Sequence, residues 1–157
     1  MAHHDSARTR DASFLIIKTL QQEDYLKRQI DQLGHVLGKI LADLTGLSTR
    51  GRTGDGIESA NQALKAELGL NFNELTSIPV EKLMEILHEN KTLSCINCSI
   101  LGDILVLLAE KHGWQDDEKL ITDGLFQRAL AIYRHVDKTS ATYSFERHNK
   151  IDKLKNR

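Results

Sequence analysis

The chain has 157 residues, 40% hydrophobic and 27% charged, which fits one globular domain with a real core and excludes a disordered chain. Its formal net charge of −1 excludes the basic excess that general nucleic-acid binding requires. A single proline, 5% aromatics and abundant Leu and Ile favour helix over sheet.

Residues 1–12, with His3 and His4, read as a loose tail, and 13–157 as one helical domain. The apolar core Phe14–Ile17 is shorter than a secretory leader requires, and Asp11 stands where a leader is basic. A long helix is expected from Ser13 or Gln22 to Leu44. Its signal is Leu26, Ile30, Leu33, Leu37, Ile40 and Leu44, spaced alternately four and three, one apolar stripe. Upstream the stripe fails at Glu23 and Thr19, so Phe14–Leu20 either packs on another surface or forms a separate segment. Gly34, Gly38 and Ala42 lie four apart on one line, where small residues admit a close helix, either inside the fold or from a second copy.

The glycine-rich stretch TGLSTRGRTGDG reads as a loop with Gly46 as a C-cap; it lacks the spacing of a phosphate loop. Asp55 is placed to cap a second helix whose inner side is Ile57, Ala60, Ala63 or Leu64, and Leu68, ending at Gly69. A third helix is expected with Ser77 as cap, Pro79 in its first turn, and Leu83, Ile86 and Leu87 buried. The segment from Thr92 to Gly113 is apolar on more than one face, through Leu93, Ile96, Ile100, Leu101, Ile104, Leu107 and Leu108, and so belongs at the centre of the fold. Asp116 or Asp117 opens a partner helix with the stripe Leu120, Ile121, Leu125, Ala129 or Leu130, Ile132 and Val136. A last helix is expected to face inward with Tyr143, Phe145, Ile151 and Leu154, and to end in a solvated basic tail. The fold class is therefore all-α, a bundle or short array of about five to six antiparallel helices.

Leu37-Gly38 precedes Ala63-Leu64, and Leu101-Gly102 precedes Ala129-Leu130, a weak internal repeat. Leu101, Gly102, Phe126, Ala129 and Tyr133 resemble a tetratricopeptide repeat, in which one helix carries a Leu-Gly pair and the next an aromatic three residues before an alanine. Ala63 falls at the matching alanine of the earlier helix. Residues 22–155 as a whole look like an uncharacterised bacterial family of such domains. The Gly102–Ala129 and Gly38–Ala63 separations exceed those of a repeat of about 34 residues, so helices or turns are extended. The resemblance implies a helical-repeat module that binds a protein or peptide in a groove lined by its first helices, with Asn97 and Asp103 as candidate groove residues and no cofactor.

Other candidate chemistry is sparse. Cys95-Ile-Asn-Cys98 at the start of the central helix reads as buried small side chains, or as a thiol or metal pair. Glu85-Ile-Leu-His88 is half of a di-iron motif without its second copy. Two cysteines are too few for a disulfide framework, which points to a reduced, cytoplasmic setting, and no apolar run reaches the roughly 18–20 residues that span a bilayer. No nucleophile, base and orienting group fall together. The expected function is a non-enzymatic interaction module; the alternatives are a homo-oligomer built on Gly34 and Gly38 or on Phe14–Ile17, and a small thiol or metal protein.

Overall fold

The computed structural model describes the backbone of residues 2–50, 53–112 and 119–157, and the side chains of 12–46, 58–110 and 122–157. These residues form seven helices: α1 (Ala2–Arg50), α2 (Thr53–Leu68), α3 (Phe72–Ser77), α4 (Val80–Glu89), α5 (Cys95–His112), α6 (Lys119–Thr139) and α7 (Phe145–Lys155). The all-α class stands. The helices number one more than expected because the segment after Gly69 divides in two.

α1 departs most from the expected boundaries. It runs 49 residues, through the expected loose tail, past the weak stripe at Thr19 and Glu23, and on through Gly46. No glycine or proline occurs before Gly34, so nothing interrupts propagation once the helix exists. Gly46 lies inside the helix and is not its cap. α2 begins at Thr53, ahead of Asp55, whose side chain, like that of Ile57, lies outside the described residues. Gly113, Asp116, Asp117, Leu120 and Ile121 likewise fall outside the described backbone or side chains.

Gly69 ends α2 in the left-handed region, at φ 76°. Asn71 then caps α3 by accepting from the Glu74 amide at 2.8 Å, with Glu74 at the third helical position, a capping pattern the sequence carried at N-x-x-E. Ser77 closes α3 rather than opening α4, donating its hydroxyl to the Glu74 carbonyl. Pro79, whose missing amide costs nothing there, takes the cap position of α4.

α5 is the centre. Cys98, Leu101, Ile104, Leu105, Leu108 and Ala109 are all buried, and the helix packs most extensively on α6 and next on α1. α1 contributes Leu33, Leu37, Ile40 and Leu44; burying each stabilises the fold by about 1.5–3 kcal/mol. α6 contributes Leu125, Ala129, Ile132, Tyr133 and Val136. α2 packs on α1, α3 and α4 lean on α6, and α7 lies along α6.

α7 turns a different face inward from the one expected. Ile151 is buried and Leu154 half-buried, but Tyr143 and Phe145 are exposed. Ser144 caps the helix by accepting from the Arg147 amide, which leaves Tyr143 in the preceding turn against His148. The basic residues are not a free tail either: Arg147 pairs with Asp137 at 3.0 Å, Lys150 with Asp103 at 2.9 Å and Arg157 with Glu110 at 3.5 Å. Opposite charges on α5 and α6 draw this helix down.

The two Leu-Gly pairs do different work. A Cβ at Gly102 would meet the Tyr133 ring at 2.7 Å, so glycine is what lets α5 and α6 close around that ring. A Cβ at Gly38 would meet nothing within 4 Å. Gly102→Ala is expected to lose about 1–3 kcal/mol in denaturant unfolding, as the ring must shift from its place.

Candidate interaction surface

Three features could carry function: the free half of α1, the groove where α1 passes α5, and a polar cluster beneath α7.

From Ala12 to Tyr25 every described α1 side chain is exposed. Phe14, Leu15, Ile16, Ile17, Leu20 and Tyr25 are 54–65% exposed. Four consecutive apolar residues point to all sides of a helix, so this half carries an apolar band rather than a stripe. Its residues share one helix with the buried Leu33–Leu44 stripe, which anchors the extension and supplies its nucleus. Contiguous apolar exposure of this kind marks a surface meant to be covered.

Where the extension enters the bundle, α1 and α5 are tied by Asn97. This side chain is 2% exposed; its amide donates to the Ile30 carbonyl at 3.0 Å and to the Thr92 carbonyl at 2.8 Å. Asn97 is therefore a buried tie between helices, set in the wall of a groove. A Cβ at Gly34 would come within 2.9 Å of Asn97 Oδ1, so Gly34 makes room for the tie. Beside it opens a groove of about 360 Å³, lined by Ile30, Gly34, Ile96 and Ile100 among others, and Ile96 is 73% exposed.

The polar cluster centres on Asp103. Its Oδ1 accepts from the Tyr133 hydroxyl at 2.5 Å and from Lys150 Nζ at 2.9 Å, while Lys150 also approaches Glu146 and lies over the Tyr133 ring. Burial, then the hydrogen bond to Asp103 and nearby carboxylates, push the Tyr133 phenol far above its ordinary range. For Lys150, burial lowers the value, and Asp103 and Glu146 more than reverse it, so the net direction is up. The adjacent groove, about 340 Å³, is lined by Leu41, Val106, Leu107, Leu154 and these polar groups. Because Tyr133 and Lys150 both spend their protons on Asp103, the cluster reads as a clasp binding α7 to α5 and α6. Asp103, like Asn97, is an expected groove residue that lines a groove.

The remaining expected residues are dispersed. Leu37, Leu101 and Ala129 are core, Ala63 and Phe126 pack half-buried against it, and Arg157 lies 4.1 Å over the Phe126 ring. Glu85 and His88 are exposed on α4. Cys98 is buried, and burial, then the neighbouring Cys95, push its thiol up to about 11, opposite to what an attacking thiolate needs. Cys95 is half-buried, 3.6 Å from the Thr139 hydroxyl. Among the described residues no three His, Cys, Asp or Glu side chains come together as a metal site, and no helix is long and apolar enough to cross a membrane. One feature that sequence reasoning missed is Arg128. It is 8% exposed, with no carboxylate partner among the described residues, and bridges the Ile78 carbonyl at 2.7 Å and the Gly124 carbonyl at 3.0 Å, which holds the α3–α4 junction on α6.

The chain matches no protein-family model, no curated protein and no solved structure.

Two outcomes follow from the clasp and the thiols. Iodoacetamide at neutral pH should modify Cys95 while native Cys98 stays intact until unfolding; equal labelling would contradict the burial. Cys98, Tyr133 and Lys150 all hold their protons longer folded than unfolded, from ordinary values of 9.0, 10.0 and 10.5. Their stability is complete below those values and is lost as pH rises through and beyond them. Thermal stability should therefore fall steadily above about pH 9, and Tyr133→Phe should flatten part of that decline while costing about 1.5–3 kcal/mol at neutral pH.

Proposed function

We propose that this protein is a non-enzymatic helical interaction module, and that the exposed half of α1 is its docking element. The observation that carries this reading is the Phe14–Tyr25 band, held in helical form by a buried continuation of the same helix. A bundle that needed α1 only for its core could end it near Leu26. Extending it puts apolar area into water at a cost of about 25 cal/mol per Å², which is regained only when a partner covers it.

The tetratricopeptide-like reading remains part of this proposal. It is supported by the α5–α6 hairpin, in which Gly102 admits the Tyr133 ring as a Leu-Gly helix admits its partner aromatic. The α1–α2 pair lacks that contact at Gly38. The partner surface is thus assigned to the α1 extension and not to a repeat groove. Cytoplasmic location is proposed on the cysteine usage alone.

The test is site-specific photo-crosslinking in cells with a photoreactive phenylalanine at Leu20 or at Tyr25, and at exposed Glu58 on α2 as control. The α1 positions should give discrete protein adducts that the control lacks. Adducts no more abundant than those at the control would overturn the reading.

A further inference from the structure

Resting on that reading, we infer that the partner of the α1 extension is a second copy of this chain, paired antiparallel about a two-fold axis level with Tyr25, whose own side chain lies on the opposite side of the helix. Helix periodicity places Ala12, Ile16, Leu20, Glu23, Lys27, Ile30, Gly34 and Gly38 on one face, at successive spacings of four, four, three, four, three, four and four. None of these eight is buried, whereas the neighbouring stripe Leu33, Leu37, Ile40 and Leu44 is. The spacing reads the same in both directions. When two copies run antiparallel with Tyr25 at the centre, Ala12 meets Gly38, Ile16 meets Gly34, Leu20 meets Ile30 and Glu23 meets Lys27.

Each pairing is chemically matched. Glu23 lies on one side of the axis and Lys27 on the other, so an acid faces a base twice, once on each side of the axis, in the antiparallel pair. A parallel pair in register sets Glu23 on Glu23 and Lys27 on Lys27, like against like. Leu20 and Ile30 close the apolar layer on either side of this charged centre. Ile16 of one copy arrives level with Gly34 of the other, beside the Asn97 side chain that fills the space over that glycine, at the mouth of the groove that Ile30, Ile96 and Ile100 line, and covers the exposed Ile96. Gly38, whose smallness nothing among the described residues requires, then faces Ala12 at the end of the contact, where two small residues let the helices approach. The paired segment, residues 12–38, is about 39 Å long on each copy.

Sedimentation velocity over a wide concentration range tests the association. Wild type should be dimeric, and Leu20→Glu monomeric with unchanged thermal unfolding of the bundle, because Leu20 touches no core. Gly38→Leu should unfold like wild type when dilute, since that position is open in the monomer, yet dimerise at least tenfold more weakly. Lys27→Glu should weaken the dimer, and Glu23→Lys with Lys27→Glu in one chain should restore it. Orientation is read with a spin label at Ala12 in a Cys95→Ser, Cys98→Ala background. The antiparallel pair separates the two labels by about 39 Å along the helix axis, a parallel pair by only about 10 Å. A wild-type monomer at every concentration, or the short distance, overturns the proposal. If the chain is monomeric while Leu20 crosslinks in cells to a different protein, the interaction-module reading stands and the second copy falls. If neither occurs, both fall.

Discussion

The structure depends on one helix having neighbours along only half of its length. α1 is anchored by four buried residues between Leu33 and Leu44, and it packs on both α2 and α5. That anchor supplies the nucleus, and without a breaker the helix continues to Ala2 whether or not anything lies beside it. The same covalent continuity that makes α1 the spine of the bundle therefore forces Phe14, Ile16, Ile17 and Leu20 into water. Nothing else in the described residues places comparable apolar area outside the core on a single element.

Around this spine the polar contacts act as ties at defined crossings. Asn97 fixes the angle at which α1 passes α5, with Gly34 leaving the space it occupies. Arg128 ties the α3–α4 junction to α6 through two carbonyls. Asp103 gathers Tyr133 and Lys150, so that α5, α6 and α7 share one carboxylate. Each tie pairs polar groups that would be costly to bury alone, though Arg128 keeps its Nε buried without a hydrogen-bond partner among the described residues, and each sits where packed apolar side chains by themselves would leave the helix free to slide.

The sequence made the apolar framework legible and hid most of the rest. The alternating stripe of α1, the all-round apolarity of α5 and the stripe of α6 follow from spacing alone, because burial of a helix face leaves a periodic record. Boundaries were less legible. Gly46 sits in a stretch that reads as loop, yet a helix already propagating passes through one glycine for about 1 kcal/mol. Tyr143 and Phe145 read as core by their chemistry, but the Ser144 cap fixes the start of α7 and turns them outward. Asn97 and Arg128 look like surface residues because polarity says nothing about whether a carbonyl from a distant helix is waiting. The band at Phe14–Leu20 was visible as a failure of the stripe. That failure was the informative feature, since it separates the half of α1 that has a core from the half that lacks one.

The most direct measurement is amide hydrogen exchange along α1 as a function of protein concentration. The anchored amides from Leu33 to Leu44 should exchange slowly at every concentration, at the rate set by opening of the whole bundle. The amides from Ala12 to Arg28 should exchange fast when the protein is dilute and become protected as it is concentrated, in step with coverage of the apolar band. Exchange in that segment that stays fast at every concentration would contradict the account, leaving α1 a core helix with an idle extension.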